Sequence, residues 1–238
     1  MNNISDGKLI KTEMHLHTAE ISSCAKAMAA DIVAAFHEKG YGAIVVTDHY
    51  IPGKNHGDPG IFKTREDKRH FLTGYRKAKE AADRYGMIVL PGMEFRFDRG
   101  MEDFLVYGMK EDDFEELPGD LYSYSLKDFR QYCNEHGWLV YQAHPFRPDL
   151  EVQDPSGLDG IEIYNGNPRH LRNNFNQNDK ALRFAREYDL LAVVGTDAHE
   201  TGDAGGACMW IPQESLTPEG LVSFLKQKRA RDICVTIW

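Results

Sequence analysis

Short apolar segments with strand character alternate with amphipathic segments along almost the whole chain, and this order constrains the fold more than any other feature. Alternating strands and helices predict parallel βα units, packed either as an open sheet or as a closed barrel. Hydrophobic periodicity alone does not distinguish these two arrangements. The predicted strands are Lys8–His17, Gly42–Thr47, Met87–Leu90, Phe104–Tyr107, Leu139–Gln142, Gly160–Ile163, Leu190–Val194, Cys208–Ile211 and Ile233–Ile237. The predicted helices are Ala29–Lys39, Thr64–Tyr85, Leu126–His136, Lys180–Tyr188 and Pro218–Lys228.

Length and composition fit a single globular domain. A chain of 238 residues is long enough for one large domain or two small ones. No internal repeat and no linker rich in Pro, Gly or Ser interrupts it. With 42% hydrophobic and 27% charged residues, the composition is that of a folded protein rather than a disordered one. We therefore expect residues 1–238 to form one domain.

The net charge and the short length of the apolar stretches exclude some classes of partner and indicate a location for the protein. Lys and Arg total 28 against 37 Asp and Glu, which gives a net charge of −9. Long nucleic acids are normally bound by clustered basic residues, which this chain lacks, so none is expected as a partner. Apolar stretches are too short for a bilayer, and the N-terminus lacks the features of a signal peptide. We therefore expect a cytoplasmic protein with no membrane partner and with reduced cysteines.

Potential metal ligands follow the ends of several predicted strands. Glu13, His15 and His17 alternate along the first strand and therefore share one face. Open sheets and barrels both place their active sites at the carboxyl ends of strands. Because burying many imidazoles and carboxylates together is costly without a cation, the pattern predicts a metal cluster at this edge. The other candidates at strand ends are Asp48, His49, Glu94, His144, Asp197 and His199.

Six motifs in order, "HLHT", "VVTDH", "GMEF", "AHPFR", "GIEIYN" and "GTDAH", make the chain similar to the PHP (polymerase and histidinol phosphatase) family. They run from Glu13 to His199 and cover most of the chain. The resemblance implies a distorted TIM-like (β/α)7 barrel that holds two or three divalent ions at the carboxyl ends of its strands. It also implies hydrolysis of phosphoesters, which in the family include histidinol phosphate, nucleotides and DNA ends.

The resemblance assigns a role to each matching position. Glu94 would bridge a first and a second ion, and Asp48 would orient a ligand through a hydrogen bond. The residues implied as ligands are His15, His17 and Asp197 for the first ion, Glu94 and His144 for the second, and His49 and His199 for the third.

Two positions depart from the family pattern. Many members have a histidine just before the strand that corresponds to Phe104–Tyr107, whereas this chain has Asp103, a carboxylate that suits the same ions. Some members have a further histidine after the first motif as a ligand of the third ion, whereas this chain has Ser22–Cys24. The third site is then weak, remodelled or completed by water, with His56 as a distant candidate ligand. Cys24 has either an ordinary structural role or a local role at this site.

The predicted ligands determine the expected chemistry. Histidine and carboxylate ligands suit Zn, Mn or Fe, which the sequence does not separate. A bridged ion pair generates hydroxide near neutral pH and neutralises charge on a phosphoryl group. Arg147, three residues after His144, is the best-placed cation for the phosphate oxygens, because a guanidinium binds two oxygens at once. Glu94, Asp197 and Arg147 are the predicted catalytic residues. Weaker candidates for substrate contact are Lys54, Arg169, His170 and Arg172.

We therefore expect a metal-dependent phosphoesterase that hydrolyses a small soluble phosphomonoester by metal-activated hydroxide, with a small phosphorylated metabolite as its partner. One alternative is an amidohydrolase-like enzyme that cleaves a non-phosphate ester or an amide with the same ions. The other is a non-catalytic accessory barrel, which the intact ligand set argues against and Asp103 leaves open.

Overall fold

The structure, a computed structural model, describes residues 7–52, 62–167 and 176–232, and ten strands and seven α-helices lie within these ranges. The strands are β1 (Leu9–Leu16), β2 (Ala43–Val46), β3 (His49–Tyr50), β4 (Ile88–Pro91), β5 (Met93–Arg96), β6 (Asp103–Tyr107), β7 (Leu139–Gln142), β8 (Gly160–Asn165), β9 (Leu191–Gly195) and β10 (Met209–Pro212). The helices are α1 (Ala29–Glu38), α2 (Arg65–Phe71), α3 (Thr73–Ala82), α4 (Asp113–Glu116), α5 (Leu126–Glu135), α6 (Asn176–Glu187) and α7 (Pro218–Leu225).

The strands form two mixed sheets. One sheet has the order β10-β1-β2-β4 and the other has the order β3-β5-β6-β7-β8-β9. In the first sheet β1, β2 and β4 are parallel, and β10 pairs with β1 in the antiparallel sense. In the second sheet β6 is antiparallel to both β5 and β7, while the remaining pairs are parallel. The fold is therefore α/β, as the alternation of elements predicted.

The seven-stranded barrel implied by the resemblance is not confirmed, because the described strands do not close into one sheet. Consecutive strands change sheets at Thr47-Asp48, between β2 and β3, and at Gly92, between β4 and β5. The expectation of parallel βα units was wrong for β6 and for β10, which both pair in the antiparallel sense. β6 follows β5 directly. The connection at 97–102 is too short for a parallel crossover and allows only an antiparallel pairing.

The first strand places two kinds of side chain on its two faces. Met14 and Leu16 are fully buried in the apolar core. Glu13 and His15 point to the opposite face because successive side chains of a strand alternate, and they are equally buried. One strand thus supplies both core packing and polar groups of the site.

The helix predicted over Thr64–Tyr85 is interrupted. α2 and α3 are separate helices that meet at Leu72. In the first turn of α3, Gly74 packs so closely against Thr18 and Asp48 that a Cβ atom would overlap both side chains. The apolar stripe continues across the break, so periodicity could not reveal it.

The other predicted boundaries differ from the observed ones by a few residues, and β7 matches residue for residue. The strands β3 and β5 were not predicted, and Glu94, expected just after a turn, lies inside β5. Both strands are short and carry polar residues, so they lack the apolar run that marks a buried strand. The strand predicted at Ile233–Ile237 lies outside the described residues. Within the described ranges, no helix has the length and apolar character needed to cross a membrane.

Candidate metal centre

His15, His17, Glu94 and Asp197 form a central cluster of buried donors. Nε2 of His15 lies 3.2 Å from Nε2 of His17, and 3.4 Å from both Oε1 of Glu94 and Oδ1 of Asp197. Nε2 of His17 lies 3.2 Å from Oε2 of Glu94 and 3.2 Å from Oδ1 of Asp197. Donors at bond lengths of about 2.0–2.1 Å around a tetrahedral ion are about 3.4 Å apart. The central cluster therefore has the spacing that a small divalent ion requires.

Hydrogen bonds at the outer nitrogens fix which atom of each histidine faces the centre. Nδ1 of His15 lies 2.9 Å from Oε1 of Glu162, and Nδ1 of His17 lies 3.3 Å from Oγ of Ser22. The Ser22 hydroxyl donates to Oδ1 of Asp48 at 2.8 Å, so it accepts from His17. With both Nδ1–H groups directed outward, the Nε2 lone pairs of His15 and His17 face one another. This arrangement needs a proton or a cation between them.

The carboxylates around His15 also favour positive charge in the space between His15 and His17. Burial lowers the pKa of His15, but the neighbouring carboxylates, that of Glu162 above all, outweigh burial and raise it well above its usual value. Burial raises the pKa of Asp197, but positive charge on His15 and Arg147 outweighs burial and holds it well below its usual value. A divalent ion held by His15 and Asp197 would supply this positive charge in place of the histidine proton.

A second cluster consists of Glu94, Asp103 and His144. Nε2 of His144 lies 2.9 Å from Oε1 of Glu94 and 3.7 Å from Oδ2 of Asp103. Asp103 begins β6, and because β6 is antiparallel to β5 and β7, its first residue lies at the edge where the parallel strands end. Nε and Nη2 of Arg96 donate to the two oxygens of Asp103 at 2.6 and 2.8 Å. A carboxylate has about four acceptor positions, so Asp103 keeps acceptor capacity for an ion.

A third cluster, at the rim of the centre, consists of His17, His49 and His199. The side chains of His49 and His199 are each 12% exposed. Sγ of Cys24 lies 3.1 Å from Nε2 of His199 and 3.7 Å from Nδ1 of His49.

Sequence analysis missed the residues that support the ligands, Glu162 above all. Oε2 of Glu162 accepts hydrogen bonds from the backbone N–H of His144 at 2.7 Å and from Nδ2 of Asn165 at 3.0 Å. Nδ2 of Asn165 also lies 3.3 Å from Oδ2 of Asp197. One feature of the sequence could have identified Glu162: it lies between two isoleucines of a predicted buried strand, in the motif "GIEIYN". A buried acidic residue needs polar partners, so its position indicates a role beside the other polar groups.

Two residues hold β1 against the end of β9. A Cβ atom at Gly195 would lie 2.5 Å from Cβ of His15, so only glycine permits this approach. Glu13 lies outside the three clusters. Its Oε1 accepts hydrogen bonds from three backbone N–H groups, at 3.0, 2.7 and 2.8 Å, those of Met14, His15 and Thr196. Glu13 therefore ties the two strands together.

Arg147, the predicted phosphate ligand, forms an ion pair with Asp197. Its side chain is 17% exposed, and its Nε is buried with no hydrogen-bond partner among the described residues.

Asp48 lies outside the three clusters and accepts hydrogen bonds from Thr18 and Ser22, as expected of an orienting residue. The remaining candidates lie outside the described residues: Lys54, His56, Arg169, His170 and Arg172.

The clusters form one continuous centre because the central and second clusters share Glu94 and the central and third clusters share His17. Imidazole and carboxylate donors in this arrangement suit divalent metal ions. Fold and site thus define an α/β protein of mixed sheets with a histidine–carboxylate metal centre at its strand ends. The structure brings together all eight residues predicted as ligands: His15, His17, His49, Glu94, Asp103, His144, Asp197 and His199.

Sequence comparisons give one family match and one curated relative. A family model described as PHP-associated matches residues 175–230. An uncharacterized protein of Methanocaldococcus jannaschii is 28% identical over 131 residues, which cover 48% of this chain and 52% of that protein. The chain therefore spans about half the length of the curated relative it matches.

Solved structures share the fold. A two-domain protein from Bacteroides vulgatus, which contains a predicted PHP-like metal-dependent phosphoesterase, is similar with a TM-score of 0.64 at 16% identity, over 96% of this chain and 66% of that one. An amidohydrolase from Chromobacterium violaceum, solved with bound sulfate and no metal, is similar with a TM-score of 0.57 at 15% identity, over 93% of this chain and 98% of that one. The PHP-associated match and the similarity to the Bacteroides vulgatus protein confirm the resemblance to the PHP family that the motifs predicted. The amidohydrolase structure shows a shared fold only.

Proposed function

We propose that the protein is a metal-dependent phosphoesterase that hydrolyses the phosphomonoester of a small phosphorylated metabolite. The observation that carries the proposal is the central cluster, whose four buried donors have the spacing of a tetrahedral ion site. Glu94 and His17 each belong to two clusters, which supports a centre of two to three divalent ions. The donor set suits Zn, Mn or Fe.

The chain's own groups position these ions. Glu162 holds Nδ1–H of His15, so His15 offers Nε2. Glu94 directs Oε1 toward His144 and Oε2 toward His49, each at 2.9 Å, so its carboxylate faces both neighbouring clusters. When bound, divalent ions supply an activated water and neutralise charge on a phosphoryl group.

Arg147 supplies positive charge beside the centre. Its ion pair with Asp197 places the guanidinium against the central cluster. The side chain is 17% exposed, and its planar guanidinium can donate to a phosphate oxygen as well as to Asp197. In this proposal Glu94 and Asp197 hold ions, while Arg147 orients Asp197 and binds the phosphate.

The burial of the centre favours a small reacting group. His15, His17, Glu94 and Asp197 are each at most 1% exposed, so a substrate must reach them past the rim. A terminal phosphoryl group is small enough for such an approach, whereas an internal phosphodiester brings chain on both sides. The net charge of −9 also disfavours a long polyanion.

Phosphate release from a panel of phosphorylated metabolites and from p-nitrophenyl phosphate tests the proposal. We expect turnover that Mn or Zn stimulates and that His15→Gln abolishes, because the variant loses a donor of the central cluster. His37→Gln, on the exposed part of α1, is the matched control and should retain turnover. Absence of phosphate release across the panel, with the centre loaded, would contradict the proposal.

Hydrolysis of a non-phosphate ester or an amide is the second candidate. Ions held in the same way polarise a carbonyl group, and the fold is similar to that of an amidohydrolase. Lactones and amides assayed in parallel separate the two reactions, since their turnover without phosphate release favours the alternative. A loaded centre with no turnover of any of these substrates would indicate an accessory role.

A further inference from the structure

Cys24 stands beside the third cluster at distances typical of metal ligands that share one ion. Its Sγ lies 3.1 Å from Nε2 of His199 and 3.7 Å from Nδ1 of His49. With Zn–S bonds of about 2.3 Å and Zn–N bonds of about 2.0–2.1 Å, a tetrahedral ion separates sulfur from nitrogen by about 3.6 Å. The two observed distances lie on either side of this value.

Backbone hydrogen bonds hold the Cys24 segment against the segment of His199. The backbone N–H groups of Lys26 and Ala27 both donate to the carbonyl oxygen of His199, at 2.7 and 3.1 Å. The N–H of Ala25 donates to the carbonyl of Ser22 at 2.9 Å and closes a turn that contains Cys24. These backbone hydrogen bonds therefore fix the position of the segment that carries the thiol.

The imidazole of His199 is oriented toward the sulfur. Nδ1 of His199 lies 2.8 Å from the carbonyl oxygen of Asp197, which can only accept, so Nδ1 carries the hydrogen. The lone pair is then on Nε2, the atom that faces Sγ of Cys24. The backbone N–H of His49 donates to Oγ of Ser22 at 3.0 Å, which ties His49 to the same turn.

We propose that Cys24 binds a divalent ion of the third cluster as a thiolate, together with His199 and His49. The proposal rests on the metal centre of the proposed function and assigns to it a ligand outside the eight residues described above. Binding is not redox chemistry: the S–H proton leaves to solvent as the sulfur–metal bond forms.

A thiolate ligand makes the two ends of the centre chemically different. The second cluster offers two carboxylates and one imidazole, from Glu94, Asp103 and His144. Sulfur ligands select softer ions such as Zn, whereas carboxylate oxygens suit Mn and Mg. The rim position would therefore take Zn, Fe or Co in preference to Mn, and the second cluster would accept Mn.

Cobalt substitution tests the assignment. The 238-residue protein, stripped of metal and kept reduced, is titrated with Co²⁺ while its absorption is recorded and bound cobalt is counted. We expect a near-ultraviolet thiolate-to-cobalt charge-transfer band in the wild type and in Cys208→Ser, whose cysteine is also free. Cys24→Ser should lose the band and bind one ion fewer. Cys24→His should regain that ion without the band, because imidazole is a ligand but not a thiolate.

Alkylation tests the same point without a variant. Iodoacetamide should modify Cys24 of the metal-free protein, and Zn²⁺ should slow this reaction roughly tenfold, because the free thiolate is the nucleophile. Alkylation of Cys208, measured on its own peptide, should not change. Cobalt bound at the centre without a charge-transfer band, or Cys24 alkylated equally fast with and without Zn²⁺, would overturn the assignment while the metal centre stands. Absence of any bound cobalt would overturn both proposals.

Discussion

Nδ1 of His15 lies 2.9 Å from Oε1 of Glu162, and the other oxygen of that carboxylate accepts the backbone N–H of His144 at 2.7 Å. One buried carboxylate therefore aligns a residue of the central cluster and a residue of the second cluster. Such partners behind metal-binding histidines fix the tautomer and the orientation of the ring. Glu162 is thus a positioning residue of the central and second clusters.

Glu162→Gln should weaken metal binding by about 10–100-fold. Both Glu162 oxygens accept hydrogen bonds, whereas a glutamine has only one acceptor oxygen and directs an N–H group at a donor. Competition with a chelator of known affinity measures the effect. Glu187→Gln, an exposed change on α6, is the control. Equal metal affinity in the two variants would show that Glu162 does not position the ligands.

Asp103→Ala should lose the ion of the second cluster and keep that of the central cluster, because only the former includes Asp103. Metal counting by elemental analysis gives the result. Asp103→His should restore the lost ion, since imidazole is also a ligand of such ions. A metal-loaded crystal structure should place an Asp103 oxygen about 2.0–2.2 Å from an ion. A carboxylate that contacts only Arg96 there would refute this.

Arg147→Ala should raise KM and lower kcat together, because the guanidinium contacts both Asp197 and, as proposed, the phosphate. Steady-state kinetics with p-nitrophenyl phosphate tests this. Arg147→Lys should recover part of the loss, since lysine keeps the charge but not the planar pair of donors. Arg76→Ala removes an arginine from an exposed ion pair with Glu111 and should change neither constant. Unchanged kinetics in Arg147→Ala would place the phosphate ligand elsewhere.

Removal of divalent ions should lower Tm, because buried carboxylates then lack the positive charge that offsets their burial. An ion present at 100 times its Kd stabilises the folded state by about 2.7 kcal/mol. Calorimetry of stripped protein, before and after addition of Zn²⁺, measures the difference. His144→Ala should show a smaller effect and one ion fewer, whereas the exposed change His136→Ala should behave as the wild type. A Tm that does not respond to ions would contradict a loaded centre.

Gly195→Ala should destabilise the protein by about 1–3 kcal/mol and weaken metal binding, because the added methyl group would overlap Cβ of His15. Denaturant unfolding of the metal-free protein gives the stability change. Gly202→Ala is the matched control, since a Cβ atom there meets nothing within 4 Å. Equal stability of the two variants would show that β1 moves aside at no cost.

The positions of the potential ligands along the chain were predictable because they depend on local order. Alternation along β1 placed His15 opposite the core residues Met14 and Leu16, and short apolar runs marked β7 and β9 just before His144 and Asp197. The position of a strand, and of the residues just after it, depends on a short local pattern of apolar residues, which can be read from the sequence alone. The roles expected of Lys54, His56, Arg169, His170 and Arg172 stay predictions.

Only the tertiary structure shows which residues that are distant in sequence contact one another. Arg96 and Asp103 pair because β6 turns back along β5, and this antiparallel hairpin also replaces the parallel order that alternation predicted. Arg147 reaches Asp197 across 50 positions of sequence, and Cys24 meets His199 across 175. The chain itself determined which side chains could bind metal and at which strand ends they lie. Their contacts were decided by sheet pairing and by backbone hydrogen bonds between loops, because these interactions join residues whose separation in sequence carries no local pattern.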